Sequence, residues 1–271
     1  MTRFIANARM YSVTPEVEEH WKVLLGHVMA SAGVDFDYEP YPAPQPLEVL
    51  WERDDLGCVF MCGYPIAFQL SEVIPIAAPI PAAAWAGGKP LYRSDLIVKA
   101  DSPFQRLEDT FGHRIGWTVE HSHSGFNALR HHLLPHRSPD RPALYREVVG
   151  NLVTARGILD KVLAGEIDVG PLDGYWHELI RAYRPDLTEG IRVIGSTGLA
   201  PIPSFVAAPG LPAETIVRLK AAFAAAHHQP WFAPLGAALR LNGFAPVEQA
   251  DFDRTLAWDR EAREQGYTTI A

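Results

Sequence analysis

Arg114-Ile115-Gly116-Trp117-Thr118-Val119-Glu120-His121-Ser122-His123-Ser124-Gly125-Phe126-Asn127-Ala128-Leu129-Arg130 reads as a strand that runs into a loop of small polar residues and then into a helix. At a helix start the first N–H groups have no intrahelical partner, and the positive end of the dipole lies beside them. Together with the hydroxyls of Ser122 and Ser124, these donors converge on one point that favours an anion. The same serines would equally serve as plain helix caps with no ligand. His123 lies inside the loop, where it would hydrogen-bond to or charge-pair with an anion, so that binding weakens above its pKa.

Outward from this stretch, strand and helix patterns alternate, the signature of βαβ units and parallel sheets. Strands are expected at 4–10, 35–38, 57–62, 73–77, 92–99, 114–118, 147–149, 167–171, 191–195 and 204–208. The helix over 15–32 carries Val17, Trp21, Leu24, Leu25 and Val28 on one face and is closed by Gly33. The helix over 154–164 is followed by Gly165, and that over 212–226 opens with Pro212 and Glu214. Prolines 75, 79, 81 and 90 mark 75–90 as an extended connector, and Pro201-Ile202-Pro203 marks a return crossing. These two crossings divide the chain into a lobe of residues 1–91 plus 201–271 and a second of residues 92–200. Hinged lobes bind ligands in the cleft between them.

At 271 residues, with 48% hydrophobic and 21% charged, the chain has the composition of an ordinary globular protein. Its formal charge of −8 and the absence of a basic cluster argue against nucleic acid. The apolar stretch from Val73 to Trp85 is broken by prolines and is short of the roughly 20 residues that span a membrane, so no stable insertion is expected. The first ten residues, with Arg3, Asn7 and Arg9, lack the apolar core of a secretory signal. Two destinations stay open: cytoplasmic if Met1 is the native start, periplasmic if a leader has been removed. Cys58 and Cys62, on one extended run, would lie about 13 Å apart, beyond disulfide reach, and are read as reduced core thiols.

Several segments, taken in order, resemble the phosphate/phosphonate-type ABC transporter substrate-binding proteins. They are Leu91-Tyr92-Arg93-Ser94-Asp95-Leu96-Ile97-Val98, then 101–114 with Leu107-Glu108-Asp109, then Ser122-His123-Ser124-Gly125, then Gly165-Glu166-Ile167-Asp168-Val169-Gly170-Pro171-Leu172-Asp173, then Pro201-Ile202-Pro203. The resemblance runs from about Phe4 to about Phe223 and implies a two-lobed α/β fold of the type 2 periplasmic-binding kind. It further implies that Ser122, Ser124 and Gly125 hold the ligand's anionic group, that Asp173 accepts hydrogen bonds from its other end, and that Tyr64 and Tyr92 line the opposing wall. Where the phosphonate binders carry a histidine after a glycine-serine pair, this chain has Gly150-Asn151-Leu152. Leu152 is therefore expected to meet the ligand, which calls for a ligand with apolar surface or for a smaller pocket.

Other positions are read from the residues alone. Tyr11 and Gly63-Tyr64-Pro65 follow strands at the ends where open α/β sheets bind ligands, and Gly63 permits close backbone approach. Each tyrosine is alternatively a core or surface aromatic. Asp173 either meets the ligand or caps the helix that follows it, and Tyr175 is placed to stack on a ligand. The histidines at 121, 123, 131, 132 and 136 complete no familiar zinc spacing, and no glycine-x-serine-x-glycine elbow supports a nucleophile at Ser122. No metal, cofactor or catalytic residue is expected. The function these readings favour is capture of a small anion, phosphate- or phosphonate-like or a small organic acid, for delivery to an ABC transporter permease. A cytosolic enzyme or a ligand sensor on the same scaffold is the alternative.

Overall fold

A computed structural model describes residues 3–271. The chain divides into two compact units, one comprising the residues up to Leu91 with Pro201–Asp253, the other Tyr92–Ala200 with Arg254–Ala271. It therefore passes between the units at three points. Residues 254–271, expected in the first lobe, belong to the second unit. Packing explains the correction: Ala262, Tyr267 and Ile270 lie in that unit's core with Leu129, Leu133 and Leu144, and the Leu144 N–H donates to the Ala271 carbonyl at 2.9 Å. Burying a side chain such as Ile270 is worth at most about 1.5–3 kcal/mol.

The first unit is built on a six-stranded sheet in the order Leu241–Pro246, Ile74–Pro81, Ser204–Ala207, Leu56–Met61, Ile5–Asn7, Asp37–Tyr38. Ile5–Asn7 pairs parallel with both neighbours, and the remaining pairs are antiparallel. Leu56–Met61 is buried along its whole length, as its unbroken apolar run requires. The Phe60 ring stacks on Phe205 with centroids 3.8 Å apart and meets Trp21 edge-on at 5.2 Å. Trp21 comes from the helix Pro15–Ala32, which begins where the Thr14 side chain accepts from the Val17 N–H at 3.2 Å and ends at Gly33 with φ 63°. Only a left-handed residue closes the helix this way, and glycine adopts that conformation without penalty.

The strand expected at 73–77 continues into the proline-rich stretch expected to be a connector, running as Ile74–Pro81 with a neighbour on each side. Ala82 donates to Arg240 and the Ile76 carbonyl accepts from Val247, so even-numbered residues turn their polar groups toward Leu241–Pro246. Pro75, Pro79 and Pro81 are all odd-numbered. Their missing N–H groups face the other side, where Ser204–Ala207 covers only positions 74–77. Leu241–Pro246 itself was not foreseen, because Asn242 and Gly243 break its apolar pattern.

In the second unit, Ser94–Lys99 lies between Ile191–Ser196 and Gly170–Asp173, antiparallel to both. Arg114–Gly116 pairs parallel with Glu147–Val149 and bridges to Val169, also in parallel. Arg114–Gly116 and Gly170–Asp173 therefore end on the same side, which brings the loop after Gly116 beside Asp173. The helix Ala155–Leu163 is capped by Thr154, which accepts from the Gly157 N–H at 3.0 Å. Cys58 and Cys62 are buried and not joined in a disulfide. Among the described residues no helix is long and apolar enough to cross a membrane.

Candidate functional site

The candidate site is the turn that follows Arg114–Gly116. Ser122 caps it, its Oγ accepting the Gly125 N–H at 3.0 Å. Asn127 then donates its N–H to the Ser122 carbonyl five residues back, at 3.0 Å, so His123–Asn127 winds as a π turn before the α-helix Ala128–Leu133. Such wide turns recur at functional sites. Because the Gly125 amide is satisfied by Ser122, Gly125 offers no donor to a ligand, contrary to its expected role. Glycine is required there for another reason: a Cβ on residue 125 would fall 1.9 Å from Thr118 Oγ1. Ser124 differs from its neighbours. Its carbonyl accepts the Ser94 hydroxyl at 2.8 Å, while its own N–H and Oγ make no hydrogen bond among the described residues.

His123 is buried beneath this turn, its ring stacked on Trp258 at 5.2 Å and tilted toward Tyr92 at 6.0 Å. Burial, reinforced by the nearby His131, lowers its pKa from 6.5 to about 3. It is neutral across the physiological range and does not charge-pair with an anion, which corrects the expected loss of binding above its pKa. Tyr92, expected to line a wall opposite the loop, lies in the same unit as the loop and is buried beside His123.

The Gly170–Asp173 strand packs on the same turn. Asp173 Oδ1 accepts the N–H groups of Tyr175 and Trp176 at 2.9 and 3.0 Å, an N-cap for the helix Gly174–Tyr183. Tyr175 is fully buried, and burial raises its phenol well above the ordinary range. It packs in the interior instead of standing ready to stack. In the first unit Tyr11 is likewise interior, edge-on to Phe60 at 5.0 Å, with its carbonyl accepting from Trp21. Tyr64 lies on the short helix Gly63–Ala67, edge-on to Phe68 at 4.8 Å. The close approach that Gly63 permits is taken by the Phe252 ring, 2.7 Å from a Cβ built there.

Leu152 does not present its side chain outward. Its Cδ1 lies 3.0 Å from where a Cβ on Gly116 would be, beside Ile158 and Ile167. Val153 is the exposed residue instead, 42% accessible and held at φ 65°. The Thr154 N–H donates to the Leu152 carbonyl at 2.7 Å across it. A β-branched residue in this conformation costs on the order of 1–3 kcal/mol and persists only where its surroundings impose it.

Beside the turn stands a polar cluster that sequence reading did not single out. Asp95 accepts from Ser196 Oγ at 2.8 Å and Arg93 Nε at 3.1 Å, and lies 2.9 Å from His177 Nδ1. Burial would raise the Asp95 pKa, yet these partners outweigh it and hold the carboxyl below its ordinary value. Ser94 and Thr197 exchange bonds nearby, Ser94 N–H to Thr197 Oγ1 and Thr197 N–H to the Ser94 carbonyl, both 2.9 Å. The available signal was Arg93-Ser94-Asp95 at the head of an apolar strand, with Ser196-Thr197 closing another. Among the described residues no three His, Cys, Asp or Glu side chains converge as metal ligands.

Two α/β units, one carrying a serine-capped turn at the carboxyl ends of parallel strands, define a periplasmic-binding-protein-like fold. A profile of the periplasmic substrate-binding proteins of the phosphonate ABC transporter matches residues 11–252, and the chain belongs to that family. Among solved structures it is similar to a binding protein component of the ABC phosphonate transporter of Pseudomonas aeruginosa, at 16% identity over 97% of this chain and 88% of that one, with a TM-score of 0.79. It is also similar to PhnD1 from Prochlorococcus marinus in complex with methylphosphonate (14% identity, 97% and 99% covered, TM-score 0.77). A Xanthomonas citri protein bound to ATP is a third relative in fold, at 19% identity, with 97% and 99% covered and a TM-score of 0.66. No curated protein matches the chain. The chain is therefore a solute-binding protein of the ABC-uptake type.

Proposed function

We propose that this protein holds a small anion, phosphonate-like or a small organic acid, at the Ser122–Asn127 turn, releases it chemically unchanged, and passes it to an ABC permease. The observation that carries this reading is Ser124, whose N–H and hydroxyl are both donors without a partner among the described residues, at the positive end of the helical segment 123–133. Ser122 keeps a hydroxyl hydrogen to donate while its oxygen caps Gly125. Methylphosphonate in a relative of the same fold supports the ligand class. Tyr92 and Asp173 border the turn.

Calorimetry against phosphate, methylphosphonate, an alkylsulfonate and short carboxylates tests the reading. At least one anion is expected to bind, and Ser124→Leu is expected to abolish binding with an unchanged circular dichroism spectrum. Binding of no anion, or undiminished affinity in Ser124→Leu, overturns it.

A further inference from the structure

The underside of the turn is tied down by hydrogen bonds whose directions can be deduced. Asn127 is fully buried. Its Oδ1 lies 3.1 Å from Arg130 Nη2, a group that only donates, and its Nδ2 lies 2.8 Å from the Thr255 carbonyl, which only accepts. These two partners fix the amide orientation. The second hydrogen of Nδ2 then points to His123 Nδ1 at 3.2 Å, and a ring nitrogen that accepts carries no hydrogen. The hydrogen of the neutral imidazole must therefore sit on Nε2. Asn127 is held in turn by Arg130, itself 1% exposed, which also donates from Nη1 to the Thr268 carbonyl at 2.8 Å and from Nη2 to Asp259. Thr255, Asp259 and Thr268 all come from the segment that the structure assigns to the second unit.

We infer that Asn127 is a positioning residue that locks His123 as a neutral, Nε2-protonated ring beneath the anion turn, and that Arg130 and Asp259 hold Asn127 in this role. The inference rests on the anion reading of the turn and deepens it: the turn recognises its ligand through fixed neutral donors, so affinity does not depend on the charge of His123. The charged and titratable groups around the ring are consistent with this. Arg130 and Arg263 both pair with Asp259, and His131 Nε2 lies 2.7 Å from Glu261. Arg254 lies over Trp258, and the Tyr92 ring tilts toward His123. From the adjacent strand, Asp173 is engaged with its own helix amides. Burial keeps the ring from taking a proton near neutrality.

Long-range 15N–1H correlation of the histidine rings in the intact wild-type protein tests the tautomer directly, with calorimetry of methylphosphonate binding from about pH 5 to 8 alongside. The expected result is a protonated Nε2, a bare Nδ1 and no titration of His123 across that range. An Nδ1-protonated ring, or a midpoint inside the range, overturns the inference. Asn127→Asp replaces the donating amide with a carboxylate that only accepts, so the hydrogen should move to Nδ1 and His123 should titrate within the range. Asn127→Ala should weaken the anion about tenfold, the equivalent of one hydrogen bond, and unchanged affinity there counts against a positioning role. If wild type binds no anion, the functional reading fails while the ring spectrum still decides the tautomer. If the anion binds and the ring is Nδ1-protonated, only the present inference fails.

Discussion

Gly125 is pressed against Thr118 so closely that a Cβ on residue 125 would lie 1.9 Å from Thr118 Oγ1 and 2.8 Å from both Cβ and Cγ2. Thr118 N–H also donates to the Gly125 carbonyl at 3.3 Å, so backbone and side chain together pin the turn to the strand end. The glycine serves this packing and not a left-handed backbone.

Gly125→Ala is therefore expected to destabilise the protein by about 1–3 kcal/mol through overpacking and to weaken anion binding in the same step. Thr118→Ala removes two of the three obstructing atoms. In urea denaturation the Gly125→Ala/Thr118→Ala pair should lose less stability than the two single variants summed. Strict additivity would show that the two residues do not collide.

Asp95 predicts a loss of stability in acid. Its folded pKa lies below the ordinary 3.8, so its stabilisation is present above that value and is lost as the pH falls through the folded one. Asp95→Asn leaves His177 and Ser196 with a weaker partner and should cost about 1–3 kcal/mol at neutral pH. The variant's stability curve should also run flatter than wild type at the acid end. Parallel curves would contradict the assignment.

His123 acts on a different pH window. Its folded pKa of about 3 lies below the ordinary 6.5, so between these values the unfolded chain binds a proton that the folded chain refuses. Stability from this group is complete above 6.5 and declines as the pH falls toward 3. Replacing His123 with Gln should remove up to about 1.4 kcal/mol per pH unit from the slope in that window, as read by urea unfolding at a series of pH values. An unaltered slope would mean the ring is not buried neutral.

Arg130 and Asp259 form an ion pair in which the arginine is buried. Arg130→Met leaves the Asp259 carboxylate to Arg263, 2.8 Å away, and takes the donor from the Asn127 Oδ1 and Thr268 carbonyl acceptors; it should cost about 1–3 kcal/mol, whereas replacing both partners with apolar residues should cost less. Equal losses in the single and double variants would indicate that packing of the arginine stem, and not the charge pair, matters at this position.

Local chemistry was legible in the sequence. Gly33 closes the first helix as expected, the strand at 147–149 was placed on its own residues, and Ser122-His123-Ser124-Gly125 announced a capped helix start after a strand. The order of motifs along the chain by itself resembles the family. These signals act over a few residues, where propensity, capping and turn chemistry are decided by neighbours in the chain.

What tertiary structure alone decided depends on partners far away in sequence. Residues 254–271 join the second unit because Tyr267 and Ile270 find a core more than a hundred residues upstream. Leu152 turns inward and Val153 outward because Gly116, Ile158 and Ile167 leave room on one side only. His123 stays neutral because Trp258 and the Asn127–Arg130–Asp259 chain close over it. The sequence by itself determined that a serine-capped turn would follow a strand. Only long-range packing decided which of its groups remain unpaired and what charge the turn carries, because desolvation and hydrogen-bond direction are properties of the surroundings and not of the segment.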